Sequence, residues 1–300
     1  MKTLLILGAS GFFGKSIIDY TKIFGLKKWQ INRLILVSRK KIFFGKNIKK
    51  IKFSYIRKNI EKFKLLPKVD YIFYFINEKN QKKSFRSFKK FKYLIKNVNN
   101  KTTVLFVSSG AVYGLIKNKN DTMEKKKINI RKIYQFKNYK KKYALYKYKM
   151  EKNLKKINNK NLNIVIARCF TFIGNEILKR NSYAISNFVN SASIKKKIYV
   201  KTPLSIRSYM NPFDLSEWLL EIVSKSKSLY EVFNVGSDYE VSMKKLSQKI
   251  HKKYELKSRI IMKNNNKKDY YGPNIKKAKM KFGLKNRFSL DKSLDDLLNI

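Results

Sequence analysis

The sequence predicts an α/β protein in which a doubly wound parallel sheet is followed by a smaller C-terminal α/β lobe, and three observations support that class. Short apolar runs alternate with lysine-rich amphipathic stretches through the first half, as expected of parallel strands buried between two helical layers. The first of these runs passes directly into a glycine turn that opens a helix. After about Phe170 the alternation becomes irregular, which marks the second lobe.

Strands are predicted over residues 4–7, 34–37, 52–56, 71–76, 104–107 and 164–167, each a short run of aliphatic or aromatic side chains. Helices begin at Phe12, near Ser84 and near Tyr139. In the second lobe the pattern gives a helix over 184–193, another over 215–223, a short strand over 232–235 and a helix after Ser242. Asp214 and Glu217 are spaced as a capping box for the second of these helices. Segments 117–132 and 263–268 are charged and poorly periodic, so they read as surface loops within the fold.

Composition narrows the possible functions. With 300 residues, 43% of them apolar, the chain is long enough to bury a full core, which excludes global disorder. Eleven Gly and four Pro exclude collagen-like and linker architectures. One cysteine, Cys169, and one histidine, His251, cannot build a disulfide framework or a Cys/His zinc site, and they make histidine-based hydrolysis improbable. The 71 basic against 19 acidic residues give a charge of +52, but lysines run from Lys2 to Lys292 through every segment. That spread reads as compositional drift more than a designed patch, although it still attracts anions. The apolar run after Met1 is too short for a leader, and no window approaches the roughly 18 apolar residues of a membrane span, so a reducing, cytoplasmic setting is expected.

The chemistry begins at Gly8-Ala9-Ser10-Gly11-Phe12-Phe13-Gly14. A strand, a glycine turn and a helix in that order let backbone amides at the helix N-terminus hold a pyrophosphate, and dinucleotide binding is favoured over an ordinary strand–helix turn. The second strand ends in Ser38-Arg39-Lys40, where a carboxylate would suit the ribose of NAD and a cation the extra phosphate of NADP. NADP is therefore preferred, with NAD as the alternative. Ser108 and Ser109 end a predicted buried strand, and Tyr143 and Lys147 share a helix face at i and i+4, where an ammonium lowers a phenol's pKa. The Tyr-x-x-x-Lys spacing is weak alone, since Tyr113 with Lys117 and Tyr148 with Lys152 also match it.

Order along the chain makes the pattern specific. Gly8-x-x-Gly11-x-x-Gly14 is followed by Ser109-Gly110-Ala111-Val112-Tyr113-Gly114 and then Tyr143-x-x-x-Lys147-x-x-x-Glu151. Further on come Ala167-Arg168-Cys169-Phe170-Thr171-Phe172-Ile173-Gly174, Arg207-Ser208-Tyr209 leading to Asp214, Asn234-Val235-Gly236-Ser237, and Pro273-Asn274-Ile275-x-Lys277-Ala278. This series resembles the extended short-chain dehydrogenase/reductase family, in particular its nucleotide-sugar branch of NAD-dependent epimerases/dehydratases. The resemblance implies a Rossmann-type dinucleotide domain over residues 1–168 and a substrate lobe over 169–300, with the two interleaved.

It further implies that Tyr143 is the catalytic acid/base, that Lys147 tunes it and holds the nicotinamide ribose, and that Ser109 binds the reacting sugar oxygen. Gly8, Ser10, Gly11, Phe12, Phe13 and Gly14 would cradle the dinucleotide; Ser38, Arg39, Asn59 and Ile60 would meet its adenosine half. Phe75 stands where the family has small residues, so its bulk is expected to press on the cofactor. Arg207 and Asn187 match positions that contact the nucleotide diphosphate of a nucleotide-sugar substrate. Thr171 replaces a frequent Asn, and Glu151 reads first as a helix ion pair with Lys147. Gly110 and Ala111 stand where the family's 4,6-dehydratases carry Asp and Glu, so an epimerase or a 4-keto-sugar reductase is expected, serving a surface polysaccharide. The family's dimerisation through the helix bearing Tyr143 is carried over. Two alternatives are an RNA-binding relative that uses its basic surface and a catalytically silent NADP-binding regulator.

Overall fold

The computed structural model describes residues 1–42, 51–78, 80–179, 183–194, 197–254 and 259–298. The first half holds strands β1 (Lys2–Leu7), β2 (Ile31–Ser38), β3 (Lys52–Arg57), β4 (Tyr71–Tyr74), β5 (Thr102–Ser109) and β6 (Leu162–Cys169), with helix α1 (Phe12–Phe24) after β1, α2 (Gln81–Lys96) after β4, and α3 (Ile130–Tyr134) and α4 (Asn138–Lys155) after β5. The second half adds α5 (Asn175–Leu178), α6 (Ala184–Ser193), β7 (Ile198–Val200), β8 (Ile206–Ser208), α7 (Pro212–Lys225) and β9 (Tyr230–Val235). It ends with β10 (Glu240–Ser242), α8 (Met243–Lys253), β11 (Ile260–Met262), β12 (Tyr270–Tyr271), α9 (Lys276–Phe282) and α10 (Leu290–Leu298).

Seven strands form one sheet in the order β3-β2-β1-β4-β5-β6-β9, and every neighbouring pair is parallel. This is the Rossmann-like α/β arrangement the sequence predicts. Because successive side chains point to opposite faces, each strand feeds two cores. Leu4, Ile6, Leu34, Leu36 and Phe73 pack on the face of α1 and α7, while Leu5, Leu7, Ile35, Val37 and Ile72 pack on the face of α2 and α4. β9 comes from the second half of the chain yet closes the edge of the main sheet, so the two halves interleave.

The smaller lobe holds a three-stranded sheet, β10-β8-β12, and the pair β11-β7. Three local expectations are corrected. The strand predicted over 71–76 ends at Tyr74, and the helix predicted over 215–223 starts earlier, at Pro212. Its N-cap is Asn211, whose side chain accepts the Phe213 amide at 2.8 Å, so Asp214 and Glu217 form no capping box. Asp214 instead accepts the backbone amides of Arg287 and Phe288 at 3.0 and 3.1 Å, because a buried carboxylate is better satisfied by two converging amides across the fold. Segment 117–132 contains a short helical turn, Lys119–Thr122, and the first residues of α3. Residues 180–182 and 195–196 of the second half lie outside the described residues.

Candidate active site

The glycine turn sits at the C-terminal end of β1, tied to β2 by the Gly8 and Ala9 amides, which donate to the Val37 carbonyl at 2.9 and 3.0 Å. Gly8 has φ +94°, and a Cβ there would lie 2.9 Å from the Ile76 nitrogen. Only glycine meets both conditions. A Cβ on Gly14 would lie 2.5 Å from the Ala9 Cα, so this position lets α1 pack closely on the strand. Gly11 is different: a Cβ would meet only the Gly8 carbonyl at 3.4 Å, leaving open space above the turn. Gly11 also caps α1 without a side-chain hydrogen bond, and the first turn carries no acidic residue. The cradle therefore suits the pyrophosphate of a nicotinamide dinucleotide.

At the far end of the same edge a cavity of about 780 Å³ joins the two halves of the chemistry, with Gly11, Phe13, Ser109, Tyr143, Lys147 and Arg207 in its wall. The Ser109 hydroxyl accepts the Ala111 amide at 3.2 Å and lies 3.4 Å from the Tyr271 hydroxyl. Burial pushes the Tyr143 phenol well above its ordinary pKa; Tyr271 adds to the rise, and the nearby Ser109 hydroxyl opposes it. Lys147 is 3% exposed, and its ammonium donates to the Val107 carbonyl at 2.9 Å, 5.9 Å from the centre of the Tyr143 ring. Burial lowers its pKa to about 8, against the pull of Cys169 and Glu151. The expected lowering of the phenol by the ammonium is thus absent in this geometry. Burial is the largest influence on each of the two groups.

The comparisons with known proteins bear on the family and the fold. The sequence model of the NAD dependent epimerase/dehydratase family matches residues 4–236, from the first strand through the glycine turn and the hydroxyl pair to the end of β9. The chain belongs to this family. A comparison with curated protein sequences finds no match. Among solved structures, MoeE5 in complex with UDP-glucuronic acid and NAD superposes with a TM-score of 0.78 at 15% identity, over 100% of this chain and 98% of that one. RMD from Pseudomonas aeruginosa complexed with NADPH gives 0.76 at 18% identity, over 100% and 98%. A mutant UDP-glucuronic acid 4-epimerase from Bacillus cereus, in complex with a fluorinated UDP-glucuronic acid and NAD, gives 0.76 at 16% identity, over 99% and 98%.

In this family member the remaining predicted residues divide into those at the cavity and those elsewhere. Asn187 lines the cavity from α6, exposed. Arg207 lines it too, but its guanidinium is held by Asp269, with Nη2 2.5 Å from the carboxylate and Nη1 3.0 Å from the carbonyl. Ser10 opens onto a neighbouring groove of about 720 Å³ that shares Phe12 with the cavity. Phe75 is in the cavity wall, but its ring packs 5.4 Å from both Phe13 and Phe73, in an aromatic cluster that takes up the bulk expected to press on a dinucleotide. Ser38 is buried and bonds the Lys40 carbonyl, and Arg39 is exposed and paired with Glu78. The Asn59 oxygen accepts the Glu61 amide at 3.2 Å, and Ile60 is a core side chain, 1% exposed, which leaves only its backbone for a ligand.

Sequence reasoning missed the partner of Glu151. Its carboxylate does not close an ion pair with Lys147; it meets Arg168 of β6 at 2.7 Å and takes the Ser108 hydroxyl at 2.5 Å. Arg168 also donates to the Tyr113 hydroxyl at 3.0 Å, and Tyr113 donates to Asn234 at 2.9 Å. Tyr271 was missed as well, because nothing in the spacing around Tyr270-Tyr271 marks a residue of the small lobe that returns to Ser109. The Thr171 hydroxyl is buried with no hydrogen-bond partner, on a residue that lines the cavity wall.

Proposed function

We propose that this protein transfers hydride at a carbon of a nucleotide-diphosphate sugar, as an epimerase or a 4-keto-sugar reductase and without dehydration. The observation that carries the reading is the single cavity shared by the open glycine turn and the Ser109–Tyr143 hydroxyls. When bound, a nicotinamide dinucleotide supplies the hydride acceptor or donor. The amides at the N-terminus of α1 hold its diphosphate, and Lys147 orients the adjoining ribose. Ser109 holds the reacting sugar hydroxyl, and Tyr143, neutral in the free protein, exchanges a proton with that oxygen as the carbon changes oxidation state. Arg207, once released from Asp269, and Asn187 hold the sugar's diphosphate.

Space supports the exclusion of dehydration. A Cβ at Gly110 would lie 2.5 Å from the Phe170 ring, so the place where a dehydratase carries an acid holds no side chain, and Ala111 beside it has no proton to exchange. The same reading makes the protein a cytoplasmic homodimer, packed through α4, that feeds a surface polysaccharide; among the described residues no helix is long and apolar enough to cross a membrane.

Mass spectrometry of cofactor released from the purified protein, followed by UDP-, dTDP- and GDP-sugar panels with and without NADPH, tests the reading. Inversion at a sugar carbon, or reduction of a 4-keto sugar, is expected. Tyr143→Phe is expected to lower the rate by about 10²–10⁴-fold without loss of fold. A 4-keto-6-deoxy product would overturn the exclusion of dehydration, and unchanged turnover in Tyr143→Phe would overturn its role.

A further inference from the structure

Arg39, expected on sequence to meet the extra phosphate of NADP, already has an anion. Its Nη1 lies 3.3 Å from Glu78 Oε2, with the arginine side chain 56% exposed and the glutamate 13%. Arg39 follows β2 and Glu78 follows β4, the two strands that flank β1 in the sheet. The pair therefore spans the C-terminal end of β1, above the turn that begins at Gly8, and that turn touches the same post-β4 segment at Phe75 and Ile76. The Glu78 amide donates to the Ser84 hydroxyl at 3.4 Å, and Glu78 Oε1 lies 3.5 Å from the Ser87 hydroxyl, which also meets Glu61 at 3.0 Å. On the other side, Arg57 from the end of β3 donates to the Arg39 carbonyl at 3.4 Å, which fixes the backbone from which the guanidinium reaches.

We propose that Glu78 sets the choice between the two dinucleotides, withholding Arg39 from a 2′-phosphate and placing a carboxylate where that phosphate must come, while leaving a bare ribose unopposed. This rests on the reading of the glycine turn as a dinucleotide site. A bare ribose docks with the Arg39–Glu78 pair intact, and the carboxylate is available to its hydroxyls. A 2′-phosphate must take the guanidinium for itself, leaving a nearly enclosed carboxylate unpaired beside a second anion. The NADP preference implied by Ser38-Arg39-Lys40 is thus masked in the native chain, and neutralising one residue uncovers it.

Titration of NADPH and NADH by nicotinamide fluorescence, at fixed ionic strength, separates the outcomes. Glu78→Gln keeps the size and the serine contacts, and it is expected to tighten NADPH about tenfold and NADH less than about threefold. Arg39→Ala added to Glu78→Gln is expected to abolish the gain for NADPH and leave NADH unchanged. An equal shift of both ligands in Glu78→Gln, or none for NADPH, overturns the proposal while the dinucleotide reading stands. Failure of every variant and of the native protein to bind either ligand overturns the dinucleotide reading, and the proposal with it.

Discussion

Helix α4 carries two buried charged groups one turn apart, and they are treated in opposite ways. Glu151 is fully provided for: Arg168 approaches it with two nitrogens and Ser108 adds a hydroxyl. Lys147 has one carbonyl, from Val107, and no carboxylate within ion-pair reach among the described residues. Each is 3% exposed, so burial does not distinguish them. Satisfaction does. A structural buried charge is surrounded by partners because leaving it short destabilises the fold, whereas a group meant to meet a ligand is left with capacity unused.

The largest effect should come from breaking the satisfied half. Removing either member of the Glu151–Arg168 pair leaves the other charge buried without a partner, and Arg168→Ala or Glu151→Ala is expected to destabilise the protein by about 3–5 kcal/mol. The double variant Glu151→Met/Arg168→Met removes both charges together and should cost less than either single change, although Ser108 and Tyr113 lose their partners. Urea unfolding of the three variants measures this. If the singles cost no more than the double, the pair is not the anchor that joins α4 to β6.

Lys147 should behave the other way. Its pKa falls from 10.5 to about 8 on folding because burial disfavours the charged form. Between those values the unfolded chain binds more protons than the folded one, so this group's contribution to stability rises with pH. Its penalty is fully present below pH 8 and gone above 10.5. Lys147→Met is therefore expected to abolish turnover yet stabilise the fold at pH 7 by about 1–3 kcal/mol, less whatever the Val107 carbonyl loses. The advantage over the native protein should shrink as pH rises through 8 to 10.5 in parallel melts. A variant less stable than native at pH 7 would place Lys147 with Glu151 as a structural residue.

The sequence could not separate these two halves, since Tyr143, Lys147 and Glu151 form one unbroken i, i+4, i+8 ladder. Spacing reports which residues share a helix face but not what the facing strand offers, and Arg168 is 17 positions away in sequence. What could be read was local or ordered: the strand–turn–helix around Gly8, the buried runs of the parallel sheet, and the succession of motifs. Return contacts from distant segments left no such trace. Tyr271 reaches Ser109 across 162 positions, and Asp269 claims Arg207 across 62. The Asp214–Glu217 box was misread for a similar reason. A capping spacing exists, but Asn211 three residues earlier is the better cap, and tertiary amides take the aspartate.

The smallest effect tests whether an unused polar atom always signals function. Tyr74 lies in the core between the sheet and α2, its ring stacked 4.2 Å from Phe91, and its hydroxyl is buried with no hydrogen-bond partner. It is as short of partners as Thr171, but it does not line the cavity that holds Ser109 and Tyr143. Burial pushes its phenol well above the ordinary range, so it stays neutral at any working pH and has no acid/base role. An unpaired buried hydroxyl costs about 1–3 kcal/mol of desolvation, part of which is recovered when the oxygen is removed and the ring kept. Tyr74→Phe is expected to stabilise the protein by about 1 kcal/mol, raising the melting midpoint by a few degrees, with turnover unchanged. Thr171→Val at the cavity wall removes an equally unpaired hydroxyl and should also raise the melting midpoint slightly, but with weaker substrate binding. If Tyr74→Phe destabilised the fold, a partner for that hydroxyl would be required. The expected gain in stability would instead mean that incomplete satisfaction marks function only at the cavity wall, where Lys147, Tyr143 and Thr171 lie and Tyr74 does not.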